Sequence, residues 1–108
     1  AAYLPRKRAH GDDLILVAHR DGRVVGAVAL GWDGVRGWIY HLAVQPFERR
    51  HGVGTALMRA AEQRLRDRGC PKINLQIVQD NDAVVAFYAR LGYAVEARVS
   101  MGKCIVGP

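Results

Sequence analysis

The chain has 108 residues, half of them apolar and about a quarter charged; this suffices for one core but not for two independently stable ones, and it is not the composition of a disordered or collagen-like segment. A formal charge of +6 favours an anionic partner without choosing among nucleic acid, a phosphate-bearing cofactor and anionic lipid. The sequence lacks an apolar run of the roughly 18 to 20 residues that cross a bilayer, and its start, AAYLPRKRAHGDD, lacks the apolar stretch of a signal peptide, so a cytoplasmic protein with no membrane partner is expected.

Residues 1–13 read as an N-terminal arm and residues 14–108 as a single domain. Leu14 to His19 and Val24 to Leu30 are apolar runs separated by Arg20-Asp21-Gly22-Arg23, and Asp-Gly between two such runs predicts a tight hairpin, because a type I′ turn needs positive φ at both central residues. Trp32 to Gly37 forms a second turn into a third run, Trp38 to Val44, which Pro46 ends because it cannot donate to a ladder. Between Gly52 and Arg68, the positions Val53, Ala56, Leu57, Ala60, Ala61 and Leu65 recur at steps of three and four, the period of an amphipathic helix. Gly69 suits its C-terminal cap and Pro71 stops it. A fourth strand is expected over Ile73 to Val78, a second helix carrying Val84, Phe87, Tyr88 and Leu91 after a cap at Asp80, Asn81 or Asp82, and a last strand over Tyr93 to Ile105. Cys70 and Cys104 form no CxxC pair and lie in no His/Cys cluster with zinc-ligand spacing. Reduced thiols and no metal are expected.

The segment with chemistry is Arg49-Arg50-His51-Gly52-Val53-Gly54-Thr55, between a strand and a strong helix. Glycines at 52 and 54 let backbone N–H groups approach a ligand, the first helical turn leaves its own N–H groups unpaired, and the helix end adds a partial positive charge. With Arg49 and Arg50 beside it, this is an anion site that fits a diphosphate. It is neither a Walker A loop nor a dinucleotide fingerprint, since no Gly-Lys-Ser/Thr follows and no third glycine stands in place.

Arg49-x-x-Gly52-x-Gly54 resembles the acetyl-CoA motif, Q/R-x-x-G-x-G/A, of the GNAT family of N-acetyltransferases. Asn81, the pair Phe87-Tyr88 and the pair Gly92-Tyr93 are similar to that family's second motif, and Leu42-Ala43-Val44-x-Pro46 to its strand along the pantetheine. The resemblance covers about residues 14 to 106; residues 72–76 and 100–103 are similar to a bacterial, YpeA-like subgroup. It implies an α+β, three-layer fold: a mixed, mostly antiparallel sheet of about five strands with two main helices. The usual first strand and first two helices would be missing, with residues 1–13 at most a helix remnant, whether the chain is a natural short form or a truncation.

The function implied is transfer of an acetyl group from acetyl-CoA, the donor co-substrate, to a primary amine of a small molecule or protein N-terminus. The alternative is an acyl-CoA-binding module that has lost its acceptor site. Leu42, Ala43 and Val44 would hold the pantetheine through their backbone; Arg49, Arg50, His51, Gly52, Val53, Gly54 and Thr55 the diphosphate; Asn81 and Tyr88 complete the cofactor site. Tyr88 matches the family's general acid. The family's glutamate base falls at Gln76, which takes no proton at neutral pH, and His41 is the local substitute. Nucleic acid ranks behind both readings, for no aromatic-basic surface motif or helix-turn-helix pattern is present. A missing layer would leave apolar sheet surface, with Val24, Val25, Val28 and Leu30 as candidates, and a homodimer would cover it. Few carboxylates, among them Asp33, Glu48 and Glu96, are available to attract a cationic acceptor.

Overall fold

The computed structural model describes residues 13–49 and 51–106; the expected N-terminal arm up to residue 12, and Arg50, lie outside them. Two compact units follow each other, one ending at Gln76 and one beginning at Ile77.

In the first unit, β1 (Asp13–Arg20), β2 (Arg23–Trp32), β3 (Gly37–Val44) and β4 (Ile73–Leu75) form a sheet in the order β1-β2-β3-β4. The first three strands are antiparallel and β4 runs parallel to β3. The Asp-Gly signal gives the expected tight turn: Asp21 has φ 52° and Gly22 φ 78°, and Arg20 pairs with Arg23. In the second turn the Asp33 carboxylate accepts N–H bonds from Val35 at 2.8 Å and Arg36 at 2.7 Å, and the Trp38 indole N–H at 3.2 Å. These donors hold the Asp33 pKa below the usual carboxylate value, the Arg36 N–H first among them.

Helix α1 (Val53–Asp67) crosses the sheet with Val53, Leu57, Met58, Ala61 and Leu65 buried. At 100° per residue these span an arc of roughly 140°; Ala56 and Ala60, expected on the apolar face, fall outside it and are exposed, while Met58 is fully enclosed. The helix lies on the sheet with little clearance. A Cβ added at Gly26 would come within 2.9 Å of Val53, 3.0 Å of Leu57 and 3.1 Å of the Ala43 carbonyl, and one at Gly37 within 2.7 Å of Cys70 Sγ and 3.1 Å of Leu65. Gly26 and Gly37 therefore face α1, and with them, at alternate positions of β2, Val28 and Leu30. Val25, Val28 and Leu30 are 3%, 0% and 1% exposed. The expectation that these valines and Leu30 offer open sheet surface is corrected, because Val28 and Leu30 pack beneath α1 and Val25 is also enclosed.

In the second unit, α2 (Asp82–Arg90) is capped by Asn81, whose side-chain oxygen accepts from Val84 N–H at 3.4 Å. Both helices end alike, in paired backbone bonds around a positive-φ glycine: Gly69 N–H to Arg66 O and Cys70 N–H to Leu65 O after α1, and Gly92 N–H to Ala89 O and Tyr93 N–H to Tyr88 O after α2.

Two strand expectations are corrected. The fourth strand stops at Leu75 instead of running to Val78, because its ladder with β3 ends there. Residues 93–105 form no strand, so the described sheet has four strands and not about five. The alternation of Val95, Ala97 and Val99 is real, but Arg98 N–H turns back to Glu96 O at 2.9 Å and breaks the extended run. Val95, Val99, Met101 and Ile105 are 85% to 91% exposed.

Candidate functional site

Along β3 the pairing changes character. Gly37, Trp38 and Ile39 pair with β4 at Ile73, Asn74 and Leu75, and the ladder stops there while β3 continues to Val44. At the same point β3 carries a bulge, since Ala29 pairs with His41 and Leu30 with Ile39, making Tyr40 the extra residue. Beyond it, Gln45 N–H donates to Val25 O at 2.8 Å. Strand amides alternate in direction, so His41 and Ala43 turn theirs towards β2, and Leu42 and Val44 turn theirs to the edge that β4 has left. Ala43 and Val44 also line a shallow pocket of about 160 Å³ together with Val24, Val25, Gly26, Ala27 and Gln45.

The chain then folds tightly into the helix. Residues 46–48 form a single 3₁₀ turn: Glu48 N–H donates to Gln45 O at 2.9 Å, Arg49 N–H to Pro46 O at 3.3 Å and His51 N–H to Glu48 O at 3.2 Å. Gly52 is the helix N-cap at φ 80°, with open space where a side chain would be, and offers no side-chain cap. Ala56 N–H closes the first helical bond on Gly52 O at 2.9 Å, so Val53, Gly54 and Thr55 stand in the first turn, where N–H groups have no intrahelical acceptor. Arg49, His51, Gly52 and Thr55 are exposed around this end. The residues fit a diphosphate: bare donors, the helix dipole and a guanidinium meet at one exposed glycine turn.

His41 is exposed, next to the bulge, on the sheet face away from α1, and Gln76 lies just beyond the end of β4. In the second unit Tyr88 is 8% exposed and buried between aromatic neighbours, edge-to-face with Phe87 at 5.0 Å and Tyr93 at 5.7 Å between ring centres. Burial pushes its hydroxyl pKa above the usual tyrosine value, so at neutral pH the proton stays on the phenol, the state a proton donor needs. The Asn81 side-chain oxygen caps α2.

Two carboxylates named as candidates for a cationic acceptor are already engaged. Asp33 is bound within its own turn, and Glu48 is buried with Arg20 Nε on its Oε1 at 3.0 Å. Sequence reading missed the Glu48 contact because Arg20 stands 28 residues earlier. Cys70 and Cys104 are free thiols. Among the described residues no helix is long and apolar enough to cross a membrane.

The model of the GNAT acetyltransferase family matches residues 2–93. The chain is 43% identical over 103 residues to an acetyltransferase of Pectobacterium atrosepticum, covering 95% of this chain and 73% of the relative. Among solved structures, an aminoglycoside acetyltransferase from an uncultured soil metagenomic sample superposes with a TM-score of 0.76 at 27% identity, over 98% of this chain and 74% of that one. The aminoglycoside acetyltransferase AAC(6')-Iy, in complex with the bisubstrate analogue CoA-S-monomethyl-acetylneamine, shares the fold with a TM-score of 0.83 at 17% identity, over 94% of this chain and 76% of that one. The mixed α+β architecture agrees with these neighbours. The chain therefore belongs to the GNAT family, and it is an N-acetyltransferase that takes its acetyl group from CoA.

Proposed function

We propose that the enzyme transfers acetyl directly from acetyl-CoA to a primary amine of a small molecule or a protein N-terminus. The observation that carries this reading is the parting of β3 from β4 at the Tyr40 bulge, followed at once along the chain by a helix that opens on a bare glycine turn. Leu42 and Val44 hold the pantetheine arm through amides turned to that edge, with Ala43 between them anchoring the strand to β2. Arg49, Arg50, His51 and the N–H groups of Gly52, Val53, Gly54 and Thr55 hold the diphosphate, and Asn81 contributes from the start of α2.

A backbone N–H at the bulge polarises the thioester carbonyl as negative charge develops on its oxygen. His41 takes the proton from the attacking amine, nitrogen bonds to the acyl carbon, the carbon–sulfur bond breaks, and Tyr88 gives its proton to the departing thiolate. Residues 14–108 act as one domain in this reading, in the cytoplasm. The similarity of residues 72–76 and 100–103 supports a YpeA-like subgroup.

Calorimetry with acetyl-CoA tests the cofactor site: Gly54→Leu blocks the loop backbone and abolishes binding, whereas Arg68→Ala at the other end of α1 binds as before. Equal affinities overturn the reading. Tyr88→Phe lowers turnover by about 10² to 10⁴-fold with CoA affinity unchanged; undiminished turnover makes Tyr88 structural. The chain's basic charge steers anionic and zwitterionic amines, so in an acceptor screen these outpace spermidine and slow with added salt. Spermidine as the best, salt-insensitive substrate overturns that preference.

A further inference from the structure

Glu48 is a buried carboxylate that no step above uses. It is 8% exposed, ends the 3₁₀ turn, and accepts from Arg20 Nε at 3.0 Å. Arg20 closes β1 directly opposite Arg23, and like charges facing across a hairpin oppose each other; the carboxylate relieves that opposition. Backbone bonds join Glu48 to Gln45, Arg49 to Pro46 and His51 to Glu48, and Gln45 to β2. The Arg20–Glu48 pair ties the same turn to the end of β1, four residues before the N-cap glycine.

That position matters because Gly52, at φ 80° and with no side chain to pack against a neighbour, does little to fix the direction of the chain itself. A diphosphate held by backbone donors requires those donors to be set in advance. A carboxylate so near an anion site would also repel the ligand unless its charge were cancelled. We propose that Arg20 and Glu48 form a clamp that positions the loop of residues 49–55 for the diphosphate of acetyl-CoA, making both positioning residues; this rests on the functional reading above. The Arg59–Glu62 pair, at 3.2 Å on one face of α1, joins neighbours on a helix that is already formed and serves as the contrast.

The test compares acetyl-CoA with S-acetylpantetheine, which lacks the diphosphate. In Glu48→Gln and in Arg20→Met, KM for acetyl-CoA rises about tenfold while kcat stays within about twofold, and the affinity for S-acetylpantetheine is unchanged. The exchanged pair Arg20→Glu/Glu48→Arg recovers most of the loss, and Glu62→Gln changes nothing. An unchanged KM in both single variants overturns the clamp, as does equal weakening towards the two thioesters. If thermal melting shows either single variant unfolded, Arg20→Ala takes its place, and an unchanged KM there overturns the clamp likewise. Loss of CoA binding in Gly54→Leu with normal clamp variants removes only the clamp; normal binding in Gly54→Leu removes the diphosphate reading itself.

Discussion

The two halves of β3 do different work within one eight-residue strand. Gly37, Trp38 and Ile39 are paired on both edges, with β2 on one side and β4 on the other, and Gly37 and Ile39 are buried. Among the described strands, residues 40–44 run in a ladder with β2 and not with β4, and they are intermediate or exposed. The bulge at Tyr40 separates the halves and also shifts the strand's phase. Ile39 lies opposite Leu30 and Leu42 opposite Val28, so both face α1 although three residues separate them rather than two or four. One strand thus spends its first half on cohesion and its second on presenting backbone groups at an open edge, with side chains on the helix side throughout.

The sharpest way to break this contrast is to remove a single outward amide. In Leu42→Pro the lost N–H points away from β2, a position where strands tolerate proline, so the protein folds and KM for acetyl-CoA rises about tenfold, the cost of one hydrogen bond to the pantetheine arm; Leu42→Ala, measured beside it by steady-state kinetics, gives the share due to the side chain. In the first half the same kind of perturbation acts on stability instead. Ile39→Ala costs about 2 to 5 kcal/mol by chemical denaturation, while the fraction that remains folded binds acetyl-CoA as before. Gly37→Ala drives a methyl against Cys70 and Leu65 and costs about 1 to 3 kcal/mol, and adding Cys70→Ala restores most of it. The smallest effect lies at the turn that launches β3. Because the Asp33 pKa is lowered in the folded protein, its contribution is present above the unfolded carboxylate value and is lost as pH falls through the folded one. Melting curves from neutral to acidic pH therefore converge for wild type and Asp33→Asn, with wild type the more stable at neutral pH.

What could be read from the residues alone was what local chemistry decides. Asp21-Gly22 predicts its turn, Gly69 and Gly92 predict the ends of their helices, and the spacing of Val53, Leu57, Ala61 and Leu65 predicts the buried stripe. Arg49-x-x-Gly52-x-Gly54 marks the loop because glycine and helix-start signals are local too. The remainder depended on partners distant in sequence. The length of β4 is set by where β3 bends away, the phase shift at Tyr40 by pairing with Ala29 and Leu30, and the burial of Glu48 by Arg20. Alanines at 56 and 60 misled because small side chains carry little weight in an apolar pattern, whereas Met58, at the opposite edge of the stripe, is fully buried. The alternation after Tyr93 lacked a signal for the turn at Glu96 to Arg98 that interrupts it.

The absence of a side chain at Gly26 also bears on how this enzyme can be hardened. Replacing glycine by alanine is a standard route to higher melting temperature, gaining about 0.4 to 1 kcal/mol where the backbone permits it. At Gly26 the added methyl has to displace Val53 and Leu57 at the root of the helix, and the Ala43 carbonyl on the neighbouring strand holds it from the other side; the start of α1, with its anion-binding turn, would ride up off the sheet. Gly102, with no atom near its missing Cβ and no positive φ, accepts the same change freely. A consensus-driven or automated stabilisation of this fold should thus leave the helix's seat alone and begin at the far end of the chain.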